Sequence, residues 1–274
     1  MRRRTFIGMV TAGGALAAIP LALRRGAQPA PGRPPGEPGR RVVDRDGHVY
    51  DVHPAAGRID FLGAGAAPHA SAEVVNPMSL AVDGAGRVLV LTQGAGLLAF
   101  DRQGHANGDA TPAWLAADRF GGSDVVARDG RLAIAAAMRH RVVVTDGGGA
   151  APVTITDLDA PVSVALGADG RIHVADRGTC TVAVYAADGA PLARLGGYGR
   201  ADGQLVAPRC VRLDGDGNVH VADLAAACVH VFDARHRFVA RHQPTLADGR
   251  PAVALWLSDH PDGTVVPTLA ARPG

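Results

Sequence analysis

The chain has 274 residues, 47% of them apolar, and all 28 of its basic residues are arginine. The absence of lysine excludes a lysine Schiff base and a phosphate-loop lysine. Eight arginines precede residue 44, so the remainder carries 20 arginines against 25 acidic residues, a balance of −5 with no basic footprint for nucleic acid.

Residues 1–23 open on Arg2-Arg3-Arg4-Thr5-Phe6-Ile7 and continue as GMVTAGGALAAIPLAL. A basic start with paired arginines ahead of a mildly apolar stretch resembles a twin-arginine export signal. Gly13-Gly14 and Pro20 weigh against the alternative, a single membrane helix. The expected address is periplasmic or otherwise extracytoplasmic. No small-x-small cleavage motif stands near Leu23, so an N-terminal anchor that stays on the protein is the second expectation. Residues 24–43 are rich in Pro, Gly and Arg and lack apolar periodicity, which reads as an extended linker ahead of a folded part at 44–274.

Within that part a phrase recurs. Gly86, Gly130, Gly170, Gly217 and Gly263 each precede an alternating apolar run, at steps of 44, 40, 47 and 46 residues. Four of them follow an aspartate (Asp129, Asp169, Asp216 and Asp262), and Asp-Gly between apolar runs marks a tight hairpin. A second landmark keeps the same beat, at Tyr50-Asp51, Phe100-Asp101, Thr145-Asp146, Tyr185-Ala186 and Phe232-Asp233. The clearest copy reads as four short strands at Arg209–Leu213, Asn218–Ala222, Val229–Phe232 and Arg237–Arg241. Such a unit cannot bury both its faces alone and must stack on copies of itself, as blades of a β-propeller do. The predicted fold is therefore all-β, a propeller of four-stranded antiparallel blades. The stretch 48–65 matches the outer half of a blade and 252–270 the inner half, so the N- and C-terminal strands are expected to share one blade. That gives five blades, with six as the alternative.

Segments 161–189 and 207–238 resemble the NHL-repeat family of β-propellers. The pattern appears as Pro208, Asp214, Gly217-Asn218, Val221-Ala222-Asp223 and Phe232-Asp233, and more loosely as Pro161, Gly170, Val174-Ala175-Asp176 and Tyr185, while Arg139-His140-Arg141 echoes the Asn-His-Arg of the family's name. The resemblance spans residues 44–274. It implies the fold, commonly with six blades, and leaves function open, since such propellers serve as enzymes, sensors and scaffolds.

Three cysteines cannot all pair. Cys210 with Cys180 or Cys228 is a candidate disulfide, and three separate small buried thiols are the favoured reading. The inner-strand starts, aligned on Pro77, Pro161 and Pro208, bring Ser79, Ser123, Ser163, Cys210 and Trp256 to one level, with Asp124 beside them. These residues are the expected lining of the channel mouth; the alternative is that small residues simply pack tightly near the axis. A metal at the channel would draw on Glu73, Asn76, Asp124 and His260. The run Asp214-Gly215-Asp216-Gly217-Asn218 mimics a calcium loop, but Val219 and Ala225 stand where that loop needs glycine and a bidentate glutamate. Gly-x-Ser-x-Gly is absent, and Gly94-Ala95-Gly96 leads into a strand.

With no catalytic set assembled and no cofactor evident, the expected function is an exported, non-catalytic binding or scaffold module. It would present one rim to a protein or ligand, as a subunit beside a periplasmic redox enzyme for example, and touch membrane only through its N-terminal segment. The alternative is a metal-dependent lyase or lactone hydrolase with its site at the central channel.

Overall fold

A computed structural model describes residues 39–93, 96–112, 115, 122–146 and 151–272, so residues 1–23 and most of the expected linker lie outside the described part. The chain forms five four-stranded antiparallel blades and one two-stranded sector, arranged as a β-propeller with essentially no helix. The first blade is β1 (Arg40–Val43), β2 (Val49–His53), β3 (Arg58–Leu62) and β4 (Pro68–Glu73). The second is β5 (Pro77–Val82), β6 (Val88–Thr92), β7 (Gly96–Phe100) and β8 (Ala106–Asp109), and the third is β9 (Asp124–Arg128), β10 (Arg131–Ala136), β11 (Arg141–Asp146) and β12 (Val153–Ile155). The fourth is β13 (Pro161–Leu166), β14 (Ile172–Asp176), β15 (Thr181–Tyr185) and β16 (Pro191–Gly196), and the fifth is β17 (Pro208–Leu213), β18 (Val219–Asp223), β19 (Cys228–Phe232) and β20 (Phe238–His242). A hairpin of β21 (Ala252–Asp259) and β22 (Val265–Ala271) fills the last sector. The six inner strands touch in order, β1 against β5 and so on round to β21 against β1.

The turns explain the beat of the sequence. Asp214 Oδ1 accepts the backbone N–H of Asp216 and Asn218, and Asp44, Asp83, Asp101 and Asp233 each accept those of the residues two and four positions on. An aspartate that bonds its own loop in this way closes a hairpin without help from the core. The Val-Ala-Asp endings have a different task. Asp223 accepts the N–H of Val206, Ala207 and Ala226, and Asp176 accepts that of Asp159, so each ties the loop entering a blade to the end of that blade's second strand.

The core is not central but layered between blades. Apolar clusters join the first blade to the second (Tyr50, Phe61, Val90, Phe100), and the same holds for each successive pair up to the fifth blade and the last sector (Cys210, Val229, Leu257, Val265).

The structure corrects two expectations, the shared blade and the extent of the linker. The ends of the chain do not share a blade: β22 pairs only with β21, while the first blade takes its inner strand from Arg40–Val43, within the segment assigned to the linker. Arginine-rich composition hid that strand, because the side chains of Arg40 and Arg41 are consumed by Asp124 and Asp51 instead of by water. The cysteines follow the favoured reading: Cys180, Cys210 and Cys228 are all free thiols, with Cys210 and Cys228 buried and Cys180 half-buried. Cys228 Sγ lies 3.2 Å from His230 Nε2, Cys180 Sγ lies 3.2 Å from Val206 O, and Cys210 sits in the axial cluster, three separate environments.

Candidate axial site

Each inner strand brings one residue to the same level of the axis. In the second, fourth and fifth blades these are Ser79, Ser163 and Cys210, paired respectively with Leu91, Ala175 and Ala222 of the adjoining strand. In the third blade the residue at this level is Asp124, opposite Ala135, and not Ser123. The shift has a local cause. Its hairpin is a two-residue turn in which both Asp129 and Gly130 have positive φ, tighter than the turns of the neighbouring blades, so the proline register of those blades falls one residue early when carried over to this strand. Ser123 instead donates to Pro161 O at 3.0 Å and anchors the next blade. Trp256 holds this level in β21, and Arg40 in β1 completes the ring.

Ser79, Asp124, Ser163 and Cys210 are 0% exposed and Arg40 is 1% exposed, so the level is a plug across the channel and not the lining of an open mouth. Asp124 is its hub. Oδ1 accepts from an Arg40 guanidinium nitrogen and from Ser79 Oγ at 3.1 Å, while Oδ2 accepts from Ser163 Oγ at 2.6 Å, the Val164 N–H at 3.1 Å and Arg212 Nη1 at 3.3 Å. Burial alone would raise the Asp124 pKa; the guanidiniums of Arg40 and Arg212 and the Ser163 hydroxyl outweigh it and hold the carboxyl below its usual range. Arg212, buried two residues beyond Cys210, also spends Nη1 on Ser163 Oγ and on the carbonyls of Val164 and Val211. Burial works to lower its pKa, but Cys210, Asp124 and Asp259 raise it above the usual arginine value. Neither Arg40 nor Arg212 was visible as a site residue in the sequence, since one sits in a linker-like run and the other is a lone arginine in an apolar strand.

Below the plug, on the rim where the inner strands end, a funnel of about 660 Å³ opens along the axis. Leu80, Val125 and Arg212 lie at its base and the hairpin turns form its walls, including Asp83, Asp129, Asp259 and His260. Most wall charges are committed: Arg45 pairs with Asp129 at 3.3 Å, Arg102 with Asp46 at 2.6 Å and Arg87 with Asp83 at 2.7 Å. Asp259 faces Arg212 Nε at 3.6 Å, and burial lowers the pKa of His260.

The proposed metal donors do not converge. Glu73 is exposed at the end of the outer strand β4, Asn76 is exposed in the loop entering the second blade, Asp124 is inside the plug, and His260 lies four residues beyond the plug level in the funnel wall. Four residues of strand span about 13 Å, too far for one metal. Among the described residues one triad, Asp44, Asp46 and His48, has ligand atoms within 4.8 Å of one another. The Asp44 carboxylate there already accepts the Asp46 and His48 N–H groups and the Tyr50 hydroxyl, which makes it a hairpin turn.

No protein-family model matches the chain, and no curated protein matches it in sequence. Solved structures do. A streptogramin B lyase superposes with a TM-score of 0.62 at 14% identity, over 85% of this chain and 91% of that one. A gluconolactonase from Xanthomonas campestris gives 0.62 at 18% identity over 82% and 80%, and a calcium-binding regucalcin from Agrobacterium tumefaciens gives 0.59 at 14% identity over 83% and 79%. At such identities the likeness is one of fold, a β-propeller.

Proposed function

We propose that this chain is a non-catalytic binding propeller, exported through its N-terminal twin-arginine segment, whose axial funnel and surrounding turns receive a polar ligand or a partner's projecting loop. One observation carries the reading. The carboxylate at the centre of the channel has both oxygens consumed by Arg40, Arg212, two serines and a backbone amide, which leaves it no free lone pair for a metal or a substrate proton. The funnel below, by contrast, is open, polar-walled and of a volume that suits a small ligand.

The second reading, a metal-dependent lyase or lactone hydrolase, draws support from the fold shared with a streptogramin B lyase and a gluconolactonase. Metal analysis of the purified protein, with and without Asp124→Ala, separates the two. Sub-stoichiometric zinc and calcium, together with no turnover of gluconolactone or streptogramin B, is the expected result. A stoichiometric metal lost with Asp124 would overturn the binding reading. Export is tested separately: replacing Arg3 and Arg4 by lysine should retain the protein in the cytoplasm.

A further inference from the structure

The axial plug leaves buried hydrogen-bond donors unsatisfied. It buries two guanidiniums, Arg40 at 1% and Arg212 at 4% exposure, around one buried carboxylate, Asp124. Arg212 finds further acceptors in two backbone carbonyls and in Asp259 at the funnel wall. Arg40 does not: one of its nitrogens is bound to Asp124, while Nε and Nη1 are buried with no hydrogen-bond partner. Leaving charged donors unsatisfied in a water-poor interior costs several kcal/mol, so a native protein places an acceptor against them. Burial works to lower the pKa of both arginines; in Arg40 it prevails, whereas in Arg212 the neighbouring Cys210, Asp124 and Asp259 outweigh it.

The surroundings of Arg40 indicate what that acceptor is. Its guanidinium carbon lies 5.0 Å from the centre of the Trp256 ring, and the guanidinium of Arg209 lies 4.4 Å from the same ring. Arg209 and Trp256 are half-buried, on the rim where the inner strands start and away from the funnel. Two guanidiniums therefore lie against one indole at this end of the axis.

We propose that the Trp256 end of the axis is a binding site for a small monovalent anion, a halide or a simple carboxylate, held by the unsatisfied Nε and Nη1 of Arg40. The site lies on the far side of the plug from the funnel and does not depend on what the funnel binds. The anion would satisfy the buried donors of Arg40 that Asp124 does not reach.

The indole reports on the site. In a Trp114→Phe background Trp256 is the sole tryptophan, so iodide quenching of its fluorescence isolates the pocket. Saturable quenching, reversed by chloride or by formate, is expected, and the more effective competitor identifies the halide or the carboxylate as the natural occupant. Arg40→Gln should weaken the half-saturation by about tenfold or more. Quenching that rises linearly with iodide and is unchanged by either competitor would overturn the proposal. Should Arg40→Gln fail to fold, crystals of the unsubstituted protein grown in bromide decide the matter. An anomalous peak within hydrogen-bond reach of Arg40 Nε or Nη1 supports the site, and an empty position there overturns it.

Discussion

Asp124 concentrates the chemistry of the axis in one side chain. Replacing it by asparagine keeps the shape of the hub but strands two buried guanidiniums, a situation that typically costs about 3–5 kcal/mol. Urea unfolding should show that loss, with Ser79→Ala, which removes a donor to Asp124 and the acceptor of the Val125 N–H, losing about 1–3 kcal/mol. Acid sensitivity has two sources. Asp124 is held below the ordinary carboxylate range, so its contribution is intact above its unfolded pKa and disappears as pH falls through the depressed folded value. His173 acts at milder pH. Burial first, and then the nearby His236 ring at 5.7 Å, lower its pKa from 6.5 to about 4. The folded state thus binds fewer protons than the unfolded chain between those values, and stability present above pH 6.5 falls as pH drops towards 4, by about 3 kcal/mol in all. His173→Phe should flatten the stability–pH curve across that window, as read by chemical denaturation at a series of pH values. Among these residues the sequence disclosed Ser79, Ser163, Cys210 and Trp256 by their common register. It placed Ser123 one position off, because the third blade has no proline at its inner-strand start and its tightened turn shifts the register carried over from the others. It could not disclose Arg40, whose partner Asp124 is 84 residues away.

At the scale of the strand and hairpin, legibility was highest where local chemistry suffices. The aspartates and glycines of the turns made the four-stranded blade readable, because each Asx-type turn closes on its own backbone. Those turns are not equivalent in cost. The Asp83 turn is exposed, whereas Asp214 is 6% exposed and adds bonds to Asn218 Nδ2 at 2.8 Å and to His220 Nε2 at 2.9 Å. Asp214→Ala is therefore expected to destabilise by about 2–3 kcal/mol and Asp83→Ala by about 1 kcal/mol. Thermal melts of the two variants side by side measure the difference. Next to Asp214, Gly215 donates to Gly263 O at 2.7 Å, and a Cβ on Gly263 would come within 3.0 Å of the Gly215 backbone. This contact explains why the glycine beat persists into the last sector even though that sector stops at two strands.

The whole molecule departs from expectation at its closure, and the reason is non-local. A composite blade would zip the ends together with ladder hydrogen bonds; here β1 and β21 meet as neighbouring inner strands of separate sheets, joined by Ser258 Oγ to Arg41 O and by Arg40 lying against Trp256. Every other junction has an apolar cluster between its blades, while none of the described clusters joins the last sector to the first blade. Apolar burial supplies most of the stability of a stacked repeat, so this junction is expected to open first. Amide hydrogen exchange should be fastest, among the inner strands, in Arg40–Val43 and Ala252–Asp259, and slowest in the fourth and fifth blades. The closing strand itself can be tested by where the chain begins. A protein starting at Gly39 should melt as cooperatively as the full chain, whereas one starting at Asp44 loses β1 and the Arg40 partner of Asp124 together. The shorter chain should lose several kcal/mol and expose the ladder edge of β2 that β1 otherwise pairs, and both changes are readable in a single calorimetric and hydrogen-exchange comparison.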